Sequence, residues 1–231
     1  MLENVSIEAG SRVGGLAGRL WDEGTIKNSH IEGTGSIKGS FIIGGLVGEN
    51  RGTIEECSVR GILIESSGAA GGLVGGNQGT IARCFATVKV QSGSAAGIGG
   101  LVGSNYSDDG GTIKQSYATG DVESTSHWVG GLVGDNRYND CLVTESYATG
   151  KVTGTGTGTG TVGGLVGLNE DGTAQRSYYD QSTTLQSDTG KGAPKSTTEI
   201  KLQATFNEWD FTYTWTIIEG VTYPNFKWEV R

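Results

Sequence analysis

The residues of this chain best suited to chemistry are short acidic groups placed in turns. They are Asp108-Asp109, Asp135 with Asp140, and Glu170-Asp171. Carboxylates brought together at turns can hold a hard cation through oxygen ligands, which makes Asp108, Asp109, Asp135 and Asp140 a candidate Ca2+ site. Two carboxylates across a cleft could also hydrolyse a glycosidic bond, but no column of basic residues accompanies these turns. The first reading of these acids is therefore as solvated turn residues. The two histidines, His30 and His127, lie far apart in the chain and offer no Ser-His-Asp constellation. Cys57, Cys84 and Cys141 have no zinc-like spacing and read as small buried residues. Aromatic side chains form the second chemical feature: Phe85, Tyr117, Tyr147 and Tyr178 recur at matching positions.

These residues are positioned by an internal repeat. Gly-Gly pairs begin at Gly14, Gly44, Gly71, Gly99, Gly130 and Gly163, in steps of 30, 27, 28, 31 and 33 residues. Each opens GGLAG or GGLVG. Asn50, Asn77, Asn105, Asn136 and Asn169 follow in the last five copies, then Gly-Thr-Ile-type segments, then runs such as Ser116–Val122 and Ser146–Val152. Each unit thus holds three short strand-like runs between turn residues, with no sustained helical period. The fold predicted is all-β: a right-handed parallel β-helix, or β-solenoid, of about six coils of roughly 30 residues. A propeller is the rival, disfavoured because its blades need four strands and about 40 residues.

Stacked coils turn each repeat position into a column. Leu16, Leu46, Leu73, Leu101, Leu132 and Leu165 form an expected core column, and Ile26, Ile54, Ile81 and Ile113 a second. Ser29, Cys57, Cys84, Ser116, Ser146 and Ser177 make a narrow column of small residues. For the rings of Phe85, Tyr117, Tyr147 and Tyr178 two phases are open. They face outward as a ligand-binding stripe, or they are core, with Ser and Ala outside. Residues 1–179 are read as the solenoid. Residues 180–231 are read as a linker loop followed by an aromatic segment that caps its open end.

The unit GGLVGxNxGTIxxSYATGxV resembles the GLUG repeat of bacterial surface proteins, found in streptococcal IgA1 peptidases and large adhesin-like proteins. The tail, with WDF at Trp209–Phe211 and YPNFKW at Tyr223–Trp228, is similar to segments that close such arrays. The resemblance implies an exported, cell-surface or secreted region, similar to modules of adhesins. It does not imply peptidase activity, because neither His30 nor His127 is followed by Glu as His-Glu-x-x-His requires. The first copy departs from the pattern, with Arg19-Leu20-Trp21 where the others carry the Asn turn, and reads as an edge coil.

Forty-two glycines, without a triplet period, exclude collagen. A net charge of −8 argues against a nucleic-acid partner, and no apolar run is long enough to insert in a membrane. The expectation is a non-catalytic extracellular module, an adhesive surface or stalk, probing host or neighbouring-cell glycans or proteins as a monomer within a longer chain. A carbohydrate-binding solenoid is the alternative. Ice binding, through the threonines at Thr25, Thr53, Thr80 and Thr112 and the run Thr153–Thr161, is a distant third.

Overall fold

The computed structural model describes residues 1–231 apart from 94–96, 108–109, 126, 156–161, 190 and 231. The chain is a parallel β-solenoid of six coils, each strand pairing with its equivalent one coil on. The Gly-Gly strands, such as Ile42–Gly44 and Ala69–Gly71, form one six-stranded sheet. The strands ending in the repeated Asn, such as Val47–Asn50 and Val74–Asn77, form a second. The Thr-Ile strands, such as Thr53–Glu55 and Thr80–Ala82, form a third.

The remaining run makes a fourth, twelve-stranded sheet rather than a single side of a three-sided coil. In SYATGDV the chain breaks at Gly120, so that Tyr117–Ala118 and Val122–Ser124 are separate strands. In the second and third coils the two parts merge into Ser58–Ser66 and Phe85–Ser92, with a register shift after Arg60. One glycine-bent segment therefore supplies two faces where the sequence pattern suggested one.

The core is built from columns. Leu46, Leu73, Leu101, Leu132 and Leu165 are fully buried, and their backbones are tied in series: Leu46 N–H donates to Leu73 O, Leu73 to Leu101, Leu101 to Leu132 and Leu132 to Leu165, each at 2.9 Å. Ile54, Ile81 and Ile113 form the second column, continued by Val143. Leu16 departs from the expected ladder. It is 46% exposed, because it lies in the first coil with no further coil packed over it. The Gly-Gly pairs follow from the narrow interior. A Cβ on Gly72, Gly100 or Gly131 would run into the carbonyl oxygen of the next coil's glycine and into Ala86, Ala118 or Ala148 across the core.

Two polar ladders run inside this apolar frame. Asn50, Asn77, Asn105 and Asn136 each donate a side-chain N–H to the next Asn Oδ1, at 2.7, 2.8, 2.7 and 2.8 Å, ending on Asn169. The backbone N–H groups of Ser29, Cys57, Cys84, Ser116 and Ser146 donate to the Sγ or Oγ one coil on, while the same side chains bond the carbonyl two residues back. The residue just before each of these, from Asn28 through Glu56, Arg83, Gln115 and Glu145 to Arg176, sits at positive φ. The ladder thus holds six non-glycine residues in a corner that their side chains disfavour.

The far end of the stack is closed by Tyr179 and the segment that follows it. Tyr179 is fully buried against Gly164, where any Cβ would enter its ring. Its hydroxyl donates to Asp188 O at 2.6 Å, and the Asp188 side chain accepts from Gly164 N–H at 2.8 Å. Lys191 Nζ bonds Gly167 O at 2.7 Å and Val162 O at 3.2 Å. The loop expected over Asp180–Lys195 holds a helical turn, Gln181–Thr184, capped by Asp180, and the strand Ala193–Lys195.

Removing a core leucine from a middle coil leaves a cavity that neighbours locked in register cannot fill. Leu101→Ala or Leu132→Ala should each cost roughly 2–5 kcal/mol in urea unfolding. Leu16→Ala should cost under about 1 kcal/mol. Equal losses at all three would show that the first coil is as enclosed as the others.

Candidate functional site

The aromatic column takes neither of the two arrangements expected for it. Phe85, Tyr117, Tyr147 and Tyr178 are in register from coil to coil. Phe85 and Tyr117 stack at 4.7 Å and 4°, Tyr117 and Tyr147 at 5.0 Å and 12°. Ala86, Ala118 and Ala148 beside them face the core, so the rings point out of the solenoid. Yet all four rings are buried, which removes them as an exposed ligand stripe. The cover is the C-terminal segment.

That segment lies along the flank, not over the end. Trp209 packs on Tyr178 and Tyr147 at 6.0 and 6.4 Å, and Trp215 on Tyr147 and Tyr117 at 6.1 and 6.3 Å. Phe226 meets Tyr117 and Phe85 at 5.4 and 6.3 Å, and Trp228 meets Phe85 and His30 at 5.6 and 5.4 Å. It is a strap running back from the sixth coil to the first. Some polar ends are satisfied along it, while the indole N–H groups of Trp215 and Trp228 are buried without a hydrogen-bond partner. Trp209 Nε1 donates to Arg176 O at 2.9 Å and Tyr147 Oη to Pro224 O at 2.5 Å. Glu229 accepts from Tyr117 Oη and Arg60 Nη2, both at 2.9 Å. Burial pushes the Tyr117 and Tyr147 hydroxyls well above their ordinary value, which keeps them as donors.

The acids of the candidate Ca2+ site do not converge where they are described. Asp108 and Asp109 lie outside the described residues. Asp135 is fully buried and occupied, accepting from Ser104 Oγ at 2.5 Å and Arg137 Nε at 2.7 Å. Burial pushes its carboxyl up despite these bonds. Asp140 is exposed on the following turn. Among the described residues no three His, Cys, Asp or Glu side chains group as metal ligands. His30 is a packing residue, bonded through Nδ1 to Ser58 Oγ at 2.9 Å and lowered by burial. The threonine column aligns from Thr25 to Thr112, is broken by Leu142 and resumes at Thr173. Of the Thr153–Thr161 run, residues 156–161 lie outside the described residues.

A site that the repeat pattern did not reveal sits on the flank shared by the Gly-Gly and Asn strands. Its outward column reads Arg19, Glu49, Gly76, Ser104, Asp135 and Leu168. Glu49 is buried and accepts from Arg12 Nε and from Arg19 Nη2 at 2.5 Å, with Arg51 Nε 3.5 Å away. Three guanidinium groups thus surround one carboxylate. Arg19 and Arg51 lie over the Trp21 ring at 4.5 and 5.7 Å, and Arg12 is 6.0 Å from the Phe41 ring. Gln78 Nε2 bridges Glu49 Oε1 and Tyr106 Oη, each at 3.1 Å.

This chain of contacts borders a slot of about 390 Å3 between Phe41 and Tyr106, floored by Ile42, Ala69, Gly76 and Ser104. Gly76 lets the Tyr106 ring lie across it, for a Cβ there would stand 3.2 Å from the ring. Phe41 is 56% and Trp21 60% exposed. Burial would raise the Glu49 carboxyl, but the bonds and charges of Arg19 and Arg12 outweigh it and hold it below its ordinary value. The signal available beforehand was the departure Arg19-Leu20-Trp21, read only as an edge coil. Phe41 and Tyr106 lie outside the repeated motif, and periodicity alone passes them over.

Residues 66–91 and 94–123 match the GLUG motif. A 122-residue stretch is 42% identical to a protein of Evansella cellulosilytica named as a Gly-rich membrane protein, covering 49% of this chain and 14% of that one. Halomucin of Haloquadratum walsbyi is 34% identical over 178 residues, 75% of this chain and 2% of halomucin. The chain therefore spans only a small part of the curated relatives it matches. A crystal structure of a Bacteroides ovatus protein named as an immunoglobulin A1 protease superposes with a TM-score of 0.58. That match has 23% identity and covers 90% of this chain and 76% of the other, which shows the shared fold.

The strap and the arginine cluster each generate a test. Trp215 is fully buried over the ladder, so Trp215→Ala should cost roughly 3–5 kcal/mol. Deleting residues 196–231, which leaves the end closure in place, should cause binding of a hydrophobic dye and self-association. A deletion that stays monomeric and dark to the dye would show the ladder stable without its cover. For Glu49, a lowered folded pKa means its pairing stabilises above the ordinary glutamate value and is lost as pH falls through the folded one. Glu49→Gln should lower stability by roughly 1–3 kcal/mol at pH 7. The gap to wild type should close in acid, and a gap constant with pH would refute the pairing.

Proposed function

We propose that this chain, a stack of GLUG repeats, is a non-catalytic extracellular module of a bacterial surface protein, acting as an adhesive surface or stalk. One observation carries this reading. On a chain of net charge −8, the outward groups of one flank form a connected arginine and aromatic surface around the slot between Phe41 and Tyr106. Coils rigidly locked in register suit presentation of such a surface, since fixed side chains lose little freedom on contact.

Several features support the same reading. The acids that face outward near the slot are engaged: Glu49 by Arg12 and Arg19, Asp135 by Arg137. Engaged carboxylates are poor acid or base groups. The relatives are named as a membrane protein and a halomucin, which fits a place at the cell surface. No helix among the described residues is long and apolar enough to cross a membrane. A carbohydrate-binding role is the second reading, favoured by the two ring walls of the slot.

The test is adhesion of the purified chain. Beads coated with it should bind host or neighbouring cells, or a matrix component, above beads coated with an unrelated β-solenoid of equal charge. Incubation with the same surface glycans should release no cleaved product. Cleavage would replace the reading with an enzymatic one, and binding no better than the control would remove the adhesive role.

A further inference from the structure

We infer that the slot between Phe41 and Tyr106 is a binding site for an anionic saccharide. One sugar ring would be held between the two aromatic side chains, with its acid group on the arginines beside them. The inference rests on the adhesive reading above and names the chemistry of its partner.

The slot volume, about 390 Å3, falls in the range of roughly 300–1,000 Å3 usual for small-ligand sites. Its walls and floor differ in kind. Phe41 and Tyr106 offer ring faces, and the C–H face of a pyranose packs against an aromatic face as other apolar groups do. Ile42, Ala69 and Gly76 make a low apolar floor that leaves the space between the rings open. Ser67 stands at the lip, and the hydroxyl oxygens of Ser40 and Ser104, whose protons are given to Gly10 O and Asp135, can accept from sugar hydroxyl groups.

The charge beside the slot sets the class of sugar. Arg12, Arg19 and Arg51 surround the single carboxylate of Glu49, a local excess of two positive charges. The three arginine side chains keep 37, 24 and 35% of their surface exposed, so part of each guanidinium faces solvent. Glu49 and Gln78 connect this cluster to the hydroxyl of Tyr106, and Arg12 connects it to the ring of Phe41. An anion bound there would complete the guanidinium groups that Glu49 leaves partly engaged. A carboxylate fits the planar, forked donors of Arg best. Repulsion elsewhere on an acidic surface makes this flank the favoured landing place for an anionic chain.

The experiment is titration calorimetry of the whole chain with methyl glucuronide, methyl glucoside and a galactose 6-sulfate. Glucuronide should bind at least tenfold more tightly than glucoside, and more weakly as salt rises. A sulfated sugar binding as well as glucuronide would keep the anionic site and broaden it to both acids. Phe41→Ala and Tyr106→Ala should each weaken glucuronide binding about tenfold, with the melting temperature of Phe41→Ala unchanged. Arg12→Gln should abolish the preference for acid over neutral sugar. Equal binding of glucuronide and glucoside, or wild-type affinity in Phe41→Ala, would overturn the proposal. If Phe41→Ala beads still adhere to cells, the slot fails and the adhesive reading stands. If glucuronide binds but wild-type beads do not adhere, the adhesive reading fails and the slot stands.

Discussion

Each strand side chain of an inner coil has its own equivalent as a neighbour, one coil before and one coil after, at the spacing of paired strands, about 4.8 Å. That constraint decides what a position can hold. Leucines and isoleucines gain from meeting copies of themselves, and an amide can donate to one copy and accept from the other, as Asn50 to Asn169 do. Charges cannot repeat, so charged columns alternate in sign. Glu8, Lys38 and Glu65 stand in one register, and the column continues through Gln91 to Glu123. Lys27 faces Glu55 in another column, whose next member is Ala82, and Arg83 beside it pairs with Glu55 as well.

The aromatic column shows the limit of like-with-like stacking. Phe85 and Tyr117 lie almost parallel, and rings in that arrangement bury one face each on the neighbour while leaving their edges open. A coil position cannot solve this by itself, because every coil presents the same open edge. The solution comes from chain that does not repeat. Tryptophans and Phe226 cover the edges at tilted angles that ring pairs favour; Trp209 donates to Arg176 O, and the strap's Pro224 O and Glu229 accept from the ladder hydroxyls of Tyr147 and Tyr117.

How much could be read from the sequence follows the same division. The coil phase, the leucine column from Leu46 onward and the small Ser/Cys column were all visible, because periodicity marks them. Leu16 was misplaced because the pattern says nothing about which coil is outermost. The fourth face went unseen because Gly120 and Gly150 look like any other glycine of the repeat. The strap's aromatic composition announced that it must cover apolar surface, yet only the unmet edges of the ring column say which surface. The slot was invisible for the opposite reason. Phe41, Tyr106 and Arg12 matter because their equivalents in other coils are different residues, so specificity resides where the repeat is broken.

The direction of the strap has a mechanical consequence. The chain comes back along the flank until Trp228 lies on His30 and Glu229 on Arg60. On the way each large ring bridges two coils: Trp209 spans Tyr178 and Tyr147, Trp215 spans Tyr147 and Tyr117, and Phe226 spans Tyr117 and Phe85. The strap is therefore a lengthwise tie, and prying two of these coils apart would mean peeling a buried ring from one side of the gap.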